Sequence, residues 1–151
     1  MNGVGISKLG KSDIDKFTGL IRLFEEVFEM KGLIMPDKKH LQKLLGDDNF
    51  IVFIAQSGGK VVGGLTAYVL QQYYSTSSLA YIYDLAVKTN FQRKGIGKMI
   101  IAATNDYCRK AGIEEIFVQA DEIDTYALDF YRSTGGVAEK VVHFTYPLNS
   151  K

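Results

Sequence analysis

The stretch from Tyr81 to Val87 restricts the fold more than any other part of the chain. It is apolar except for Asp84, and it is too short and too rich in strand formers to be a helix. A glycine-rich turn follows at residues 92–97, and apolar residues then recur at helical spacing from Gly95 to Ala111. A buried strand, a glycine turn and a long helix in this order predict an α/β fold.

The remaining segments predict a mixed α/β (α+β) sheet with helices on both faces. Helical spacing and end signals predict four helices in all, at residues 13–28, 36–46, 95–111 and 125–133. Strand-forming runs predict five strands, at residues 50–55, 61–70, 81–87, 116–120 and 141–146. The first two strands are expected to form a hairpin through the turn residues 57–60.

Composition limits the class of protein. A chain of 151 residues, 46% of them hydrophobic, predicts one domain over residues 1–151. The net charge of +1 gives no basic stripe for nucleic acid. The N-terminus has no signal-peptide pattern and no apolar run approaches the ~20 residues of a membrane span, so a soluble cytoplasmic protein without a membrane partner is expected. The single cysteine, Cys108, forms no metal-ligand pattern with His40 or His143, and no metal is expected.

The glycine turn from Gln92 to Gly97 is a candidate anion site. Glycine lets a ligand approach the backbone, and the first turn of the following helix presents unpaired N–H groups. A nucleoside triphosphatase loop is improbable because Met99 follows Gly97-Lys98 where a Ser or Thr is required. A dinucleotide loop is improbable because Ile100 stands where its third glycine would be. Tight strand-to-helix packing without a ligand remains an alternative.

Two motifs resemble those of the GNAT superfamily of N-acetyltransferases. Gln-x-x-Gly-x-Gly, here Gln92 to Gly97, is similar to the acetyl-CoA pyrophosphate loop of that superfamily. The later motif, a polar residue followed by Ala and Tyr, matches Asp124, Ala127 and Tyr131 in the same order along the chain.

Four further segments resemble the type I aminoglycoside 3-N-acetyltransferases, the gentamicin acetyltransferase-like group. They are residues 63–70, 81–87, 118–121 and 142–144. The chain departs from that group at Ser77-Ser78-Leu79, where the group has Arg-Ser-Glu, and at Thr125-Tyr126, where it has an acid and a proline. The resemblance implies acetyl transfer to the 3-amino group of an aminoglycoside such as gentamicin. Another amine, such as a polyamine, an amino sugar or a protein lysine, and a sensor that binds acetyl-CoA without turnover stay open as alternatives.

The resemblance also implies roles for individual residues. The central sheet would splay at the cofactor cleft, and acetyl-CoA would be the cosubstrate, attacked directly by the amine in a ternary complex. Tyr131 would donate a proton or hydrogen bond to the departing sulfur. The cofactor-binding residues would be Leu85, Ala86, Val87, Gln92, Arg93, Lys94, Gly95, Ile96, Gly97, Lys98, Asp124 and Ala127.

Acidic residues are the candidates for handling the amine. Asp84 is expected to be a catalytic base or an ammonium anchor, since an acid within an apolar strand needs a partner or a purpose. It could instead only accept hydrogen bonds within the strand. Asp121 and Asp124 follow a strand end, where clefts in α/β sheets open, and Asp121 and Tyr83 are expected to join Asp84 in binding a small-molecule amine. A homodimer through the apolar strand at Val141-Val142 is the remaining expectation.

Overall fold

The computed structural model describes residues 3–149. The chain divides into two compact units, one ending at Gln119 and the other beginning at Ala120. The expectation of one domain over residues 1–151 stays a prediction. No helix within residues 3–149 has the length and apolar character needed to cross a membrane.

The first unit contains the sheet and three α-helices within its described residues. Its elements, in chain order, are β1 (Val4–Lys8), α1 (Ile14–Val27), α2 (Lys38–Leu45), β2 (Phe50–Ser57), β3 (Lys60–Leu70), β4 (Leu79–Val87), a short 3-10 turn (Thr89–Phe91), α3 (Ile96–Lys110) and β5 (Glu115–Val118). All three predicted helices of this unit and the predicted hairpin of β2 and β3 are confirmed.

The sheet is mixed and five-stranded, in the order β1-β2-β3-β4-β5. The first three pairs are antiparallel, whereas β4 and β5 are parallel. Pairing between β4 and β5 runs from Leu79 opposite Glu115 to Ile82 opposite Val118. Because β4 continues to Val87 while β5 ends at Val118, the last five residues of β4 have no partner in β5, as the predicted splay of the sheet requires.

Two adjacent glycines of β3 show that helices cover both faces of the sheet. A Cβ on Gly64 would meet the Leu20 side chain of α1, and it would lie 2.8 Å from the Phe53 carbonyl oxygen. A Cβ on Gly63 would lie 3.3 Å from Ile100 Cδ1 of α3. Since successive residues of a strand point to opposite faces, α1 and α3 lie on opposite sides. Leu20 and Ile100 are both fully buried, so a side chain at either glycine would enter a packed core.

The strand β1 was not predicted. Its five residues, Val4 to Lys8, include a glycine, a serine and a lysine, so the apolar signal is weak. It forms because antiparallel pairing with β2, from Val4 opposite Ser57 to Lys8 opposite Phe53, satisfies its backbone.

The second unit contains one helix, α4 (Thr125–Ser133), as predicted, within its described residues. The prediction of a last strand at residues 141–146 is wrong, since residues 136–148 form neither helix nor strand. Strand propensity reflects fit to a pleated, paired surface, and residues 141–146 have no pairing strand among residues 3–149.

Candidate active site

The glycine turn presents an open helix N-terminus. Gly95 is the N-cap of α3 with φ of 83°, and no side chain caps this end. The first backbone bond of the helix runs from the Met99 N–H to the Gly95 carbonyl at 3.1 Å. The N–H groups of Ile96, Gly97 and Lys98 precede it and have no acceptor within the helix, which is the arrangement that binds anions.

The loop before this helix is fixed by its own side chains. Gln92 Nε2 donates to the Val87 carbonyl oxygen at 2.9 Å and ties the turn to the end of β4. Lys94 Nζ lies 5.4 Å from the centroid of the Phe91 ring. Arg93 has φ of 60°, so two of three successive residues are left-handed and turn the chain sharply. The predicted phosphate-binding segment is therefore a preformed turn.

Positive charge surrounds the turn. Arg93, Lys94 and Lys98 are exposed. Apart from Gly95 itself and its two chain neighbours, no heavy atom of residues 3–149 lies within 4 Å of where a Gly95 Cβ would stand. A pyrophosphate carries the opposite charge and needs an accessible backbone. The residues present therefore fit the diphosphate of a coenzyme A-type ligand.

The splayed end of β4 supplies backbone groups next to this turn. Leu85, Ala86 and Val87 pair with β3, opposite Leu65, Gly64 and Gly63. Their other edge has no β5 partner, because β5 ends at Val118. Extended backbone of this kind can form hydrogen bonds with another chain that contains amide groups. The pantetheine arm of coenzyme A is such a chain.

Asp84 lies at a β-bulge of β4. Asp84 is opposite Thr66 and Ile82 is opposite Ala67, so Tyr83 is the extra residue between them. Such bulges bend a strand and redirect side chains beside functional sites. Asp84 is half-buried and forms no salt bridge within residues 3–149. Burial raises the pKa of its carboxyl above the ordinary value of 3.8.

Three tyrosines lie near Asp84 in the sheet, and two of them, Tyr68 and Tyr81, were not predicted as site residues. The predicted residue Tyr83 has its ring 5.8 Å from that of Tyr68 and 5.9 Å from that of Tyr81. The Tyr81 hydroxyl donates to Gln119 Oε1 at 3.0 Å. Burial raises the pKa of Tyr68, and electrostatic interactions with Tyr83 and Asp84 raise it further. Only the register of the strands could have identified Tyr68.

The other predicted site residues belong to the second unit. Asp124 is the N-cap of α4, and its Oδ1 accepts from the Ala127 N–H at 3.0 Å. Asp121 is exposed, and its carbonyl accepts from the Asp124 N–H at 2.9 Å. The Tyr131 ring makes an edge contact with Phe130 at 5.2 Å, and the Tyr131 carbonyl accepts from the Gly136 N–H. The motif residues thus define the start and the end of one helix.

Cys108 is the one cysteine of the chain. Cys108 is buried in α3, and this burial raises the pKa of its thiol, which disfavours the nucleophilic thiolate. No group of three or more His, Cys, Asp and Glu side chains within residues 3–149 is arranged to hold a metal ion.

Known proteins match this chain in sequence and structure. The family model described as "Acetyltransferase (GNAT) family" matches residues 17–135. An aminoglycoside acetyltransferase, meta-AAC0020, from an uncultured soil metagenomic sample is 60% identical over 98% of both chains, with a TM-score of 0.95. It has been solved in complex with trehalose and in complex with sisomicin.

Two more distant proteins share the fold or part of the sequence. Aminoglycoside N-acetyltransferase AAC(6')-Iy in complex with CoA has a TM-score of 0.78 at 20% identity, covering 97% of this chain and 95% of that one. N-acetyltransferase family 8 member 2 of Rattus norvegicus is 23% identical over an alignment 112 residues long, which covers 65% of this chain. The match spans only half of the length of the rat protein. The family model covers most of the chain, and the chain belongs to the GNAT acetyltransferase family.

Proposed function

We propose that this chain transfers the acetyl group of acetyl-CoA to the 3-amino group of an aminoglycoside such as gentamicin. The substrate class rests on the similarity to the soil metagenomic aminoglycoside acetyltransferase, which extends over 98% of the chain. That protein has been solved in complex with sisomicin. The 3-amino position rests on the four sequence segments that resemble the type I 3-N-acetyltransferases.

The first unit would hold the cosubstrate. Acetyl-CoA supplies an activated thioester when it is bound. The N–H groups at the start of α3 and the cations Arg93, Lys94 and Lys98 would bind its diphosphate, and the open edge of β4 from Leu85 to Val87 would pair with its pantetheine arm. AAC(6')-Iy, which shares the fold, has been solved with CoA.

Asp84 would prepare the amine for attack. An ammonium group has no lone pair, so it must lose a proton before its nitrogen can attack the thioester carbon. A carboxylate with a raised pKa accepts that proton more readily than an ordinary aspartate does. As the C–N bond forms and the C–S bond breaks, the hydroxyl of Tyr131 would give its proton to the departing sulfur.

Exposed acids would attract the polycationic acceptor. Asp121 and Asp124 are both exposed at the start of α4, and a carboxylate near the acceptor raises its local concentration. Asp124 would also keep α4 in place as its N-cap, which orients Ala127 and Tyr131. We propose that the protein is a homodimer and that its acceptor substrate is a small-molecule amine.

The test is the release of coenzyme A thiol from acetyl-CoA with gentamicin, kanamycin, spermidine and a lysine peptide in parallel. The proposal expects rapid turnover with gentamicin. Turnover restricted to spermidine or the lysine peptide would refute the aminoglycoside assignment but keep the acetyl transfer. Tight binding of CoA without any turnover would favour a sensor.

A further inference from the structure

Four aromatic rings form one row across four strands of the sheet. Phe50 of β2 is opposite Tyr68 of β3, Tyr68 is opposite Tyr81 of β4, and Tyr81 is opposite Phe117 of β5. The ring centroids of Phe50 and Tyr68 are 5.1 Å apart, and those of Tyr81 and Phe117 are 4.8 Å apart. We call these four residues the aromatic row. Tyr83 stands edge-on to both tyrosines of the row.

The aromatic row shares a face of the sheet with Asp84. Gly64, Thr66 and Tyr68 alternate along β3, so they point to the same side. Gly64 faces α1, and Thr66 is opposite Asp84. The negative charge of Asp84 is also felt at the Tyr68 phenol, whose pKa it helps to raise.

The exposed fraction of the aromatic side chains increases from Phe50 through Tyr68 to Tyr83, which is next to Asp84. Phe50 is buried and packs against Phe17 of α1, with ring centroids 5.8 Å apart. Tyr68 is 39% exposed and Tyr83 is 60% exposed. Phe50 thus anchors the aromatic row in the core, while the side chains of Tyr68 and Tyr83, near the Asp84 carboxylate, remain in contact with solvent.

This combination recognises a particular chemistry. A carboxylate by itself attracts any ammonium ion, whereas the face of a tyrosine attracts a cation at short range and packs against an apolar ring surface. An amino sugar has both an ammonium group and a saturated ring. Side by side, Asp84 and the tyrosines therefore fit an amine carried on a ring.

We propose that Tyr68 and Tyr83 form a two-sided platform. Because their rings are perpendicular, a sugar ring of the acceptor lies on the face of one ring and against the other, while its ammonium group faces Asp84. This inference rests on the proposed function and adds two specificity-determining residues to it. Tyr81 supports the platform through its edge contact with Tyr83, and Phe117 stacks on Tyr81. Ring contacts of this kind hold the acceptor before and during attack to a similar extent, so they act on acceptor binding more than on turnover.

The test replaces the rings singly with Tyr68→Leu and Tyr83→Leu, and it retains them with Tyr68→Phe and Tyr83→Phe. The control is Tyr107→Leu, because Tyr107 lies on α3, on the opposite side of the sheet, where it contacts Phe53. For every variant, KM and kcat are measured with sisomicin, and the Kd of sisomicin for the CoA-loaded protein is measured by calorimetry. Circular dichroism and the Kd for CoA check that the fold is kept.

The platform predicts that each Leu variant raises KM and Kd for sisomicin about 3- to 10-fold, with kcat nearly unchanged. The Phe variants and Tyr107→Leu should match the wild type. Acetylation of sisomicin with the same KM in the Leu variants would refute the platform and leave the proposed function intact. If the wild type binds sisomicin without acetylating it, and the Leu variants bind it more weakly, the platform would be supported and the proposed function refuted. Absence of sisomicin binding by the wild type would overturn both.

Discussion

Asp84 is a half-buried carboxyl group whose burial has a cost in folding. Its burial raises the pKa of its carboxyl, so the ionised form is less favoured in the folded chain than in water. No salt bridge within residues 3–149 offsets this desolvation. A substrate ammonium would supply the missing positive charge.

The pH dependence of activity should depend on Asp84. A protonated carboxyl cannot accept a proton, so kcat/KM should fall as the pH drops through the raised pKa of Asp84, at a pH above 3.8. Asp84→Asn should lower kcat/KM about 10²-fold and remove this acid limb, leaving only the titration of the substrate amine. The measurement is the pH–rate profile with one aminoglycoside.

The control for this profile is Asp48→Asn, which alters an exposed acid in the turn before β2. It should keep the wild-type profile. An Asp84→Asn enzyme with full activity and an unchanged acid limb would contradict the role as base, and Asp84 would then only accept hydrogen bonds in the strand.

Tyr131 is expected to act on the leaving group. Tyr131→Phe removes the hydroxyl and keeps the ring, so kcat should fall on the order of 10²-fold while the Kd for CoA stays the same. Tyr126→Phe, in the first turn of the same helix, is the control and should keep kcat. Stopped-flow measurement of thiol release would separate the acetyl transfer from product release. Equal kcat in the two variants would refute the role.

Some candidate site residues stand out in the sequence and others do not, for a physical reason. Asp84 stands out because it is an acid inside an apolar strand, and Gly95 stands out because a left-handed N-cap favours glycine. In the sequence, nothing distinguishes Tyr68 and Tyr81 from other aromatic residues of strands. They meet only through the antiparallel register of β3 with β4, which the bulge at Tyr83 shifts by one residue.

Among the secondary-structure elements, local sequence signals predicted the helices well and the outer strands poorly. The helix α2 begins after Asp37, whose carboxylate accepts from the His40 N–H at 2.9 Å, and ends at Gly46, as predicted. Both signals act within one helical turn. A strand instead requires backbone pairing with another strand. The strand β1 pairs with β2, whereas residues 141–146 pair with no strand among residues 3–149.

The two ends of α3 allow a matched test of the anion site. Gly95 precedes the helix with φ of 83°, and Gly112 follows it with φ of 80°. Neither position would place a Cβ within 4 Å of another atom, so Ala at either one adds backbone strain alone, about 1–2 kcal/mol.

Gly95→Ala and Gly112→Ala should therefore lower the free energy of unfolding by similar amounts. Only Gly95→Ala should also raise the Kd for CoA, by about tenfold, because it disturbs the N–H groups at the start of the helix. Denaturant unfolding and calorimetry measure the two effects. Equal affinities for CoA in both variants would show that the diphosphate does not bind at this helix end.

At the scale of the whole molecule, the second unit has apolar surface but little core of its own. No residue of α4 is buried, and the side chains of Val141, Val142, Phe144 and Tyr146 are all largely exposed. A nine-residue helix is too short to be stable alone, and contiguous exposed apolar side chains mark interaction surfaces. We therefore expect a second copy of the chain to cover this segment.

Sedimentation or light scattering should accordingly give the mass of a dimer. Phe144→Asp should shift the protein toward the monomer, since a charge in a dry interface is costly. Tyr73→Asp is the control, because Tyr73 is also a fully exposed aromatic residue but lies in the loop after β3. A wild type that is monomeric at high concentration, or a Phe144→Asp variant that remains dimeric, would contradict this expectation.

The most direct test of the central claim is the structure of the reaction product. Wild-type protein, acetyl-CoA and gentamicin are incubated together, and the product is analysed by mass spectrometry and by NMR assignment of the modified nitrogen. The expected product carries one added acetyl group, located on the 3-amino nitrogen. Acetylation at another amino group would contradict the 3-amino assignment, and unmodified gentamicin would contradict the proposed substrate class.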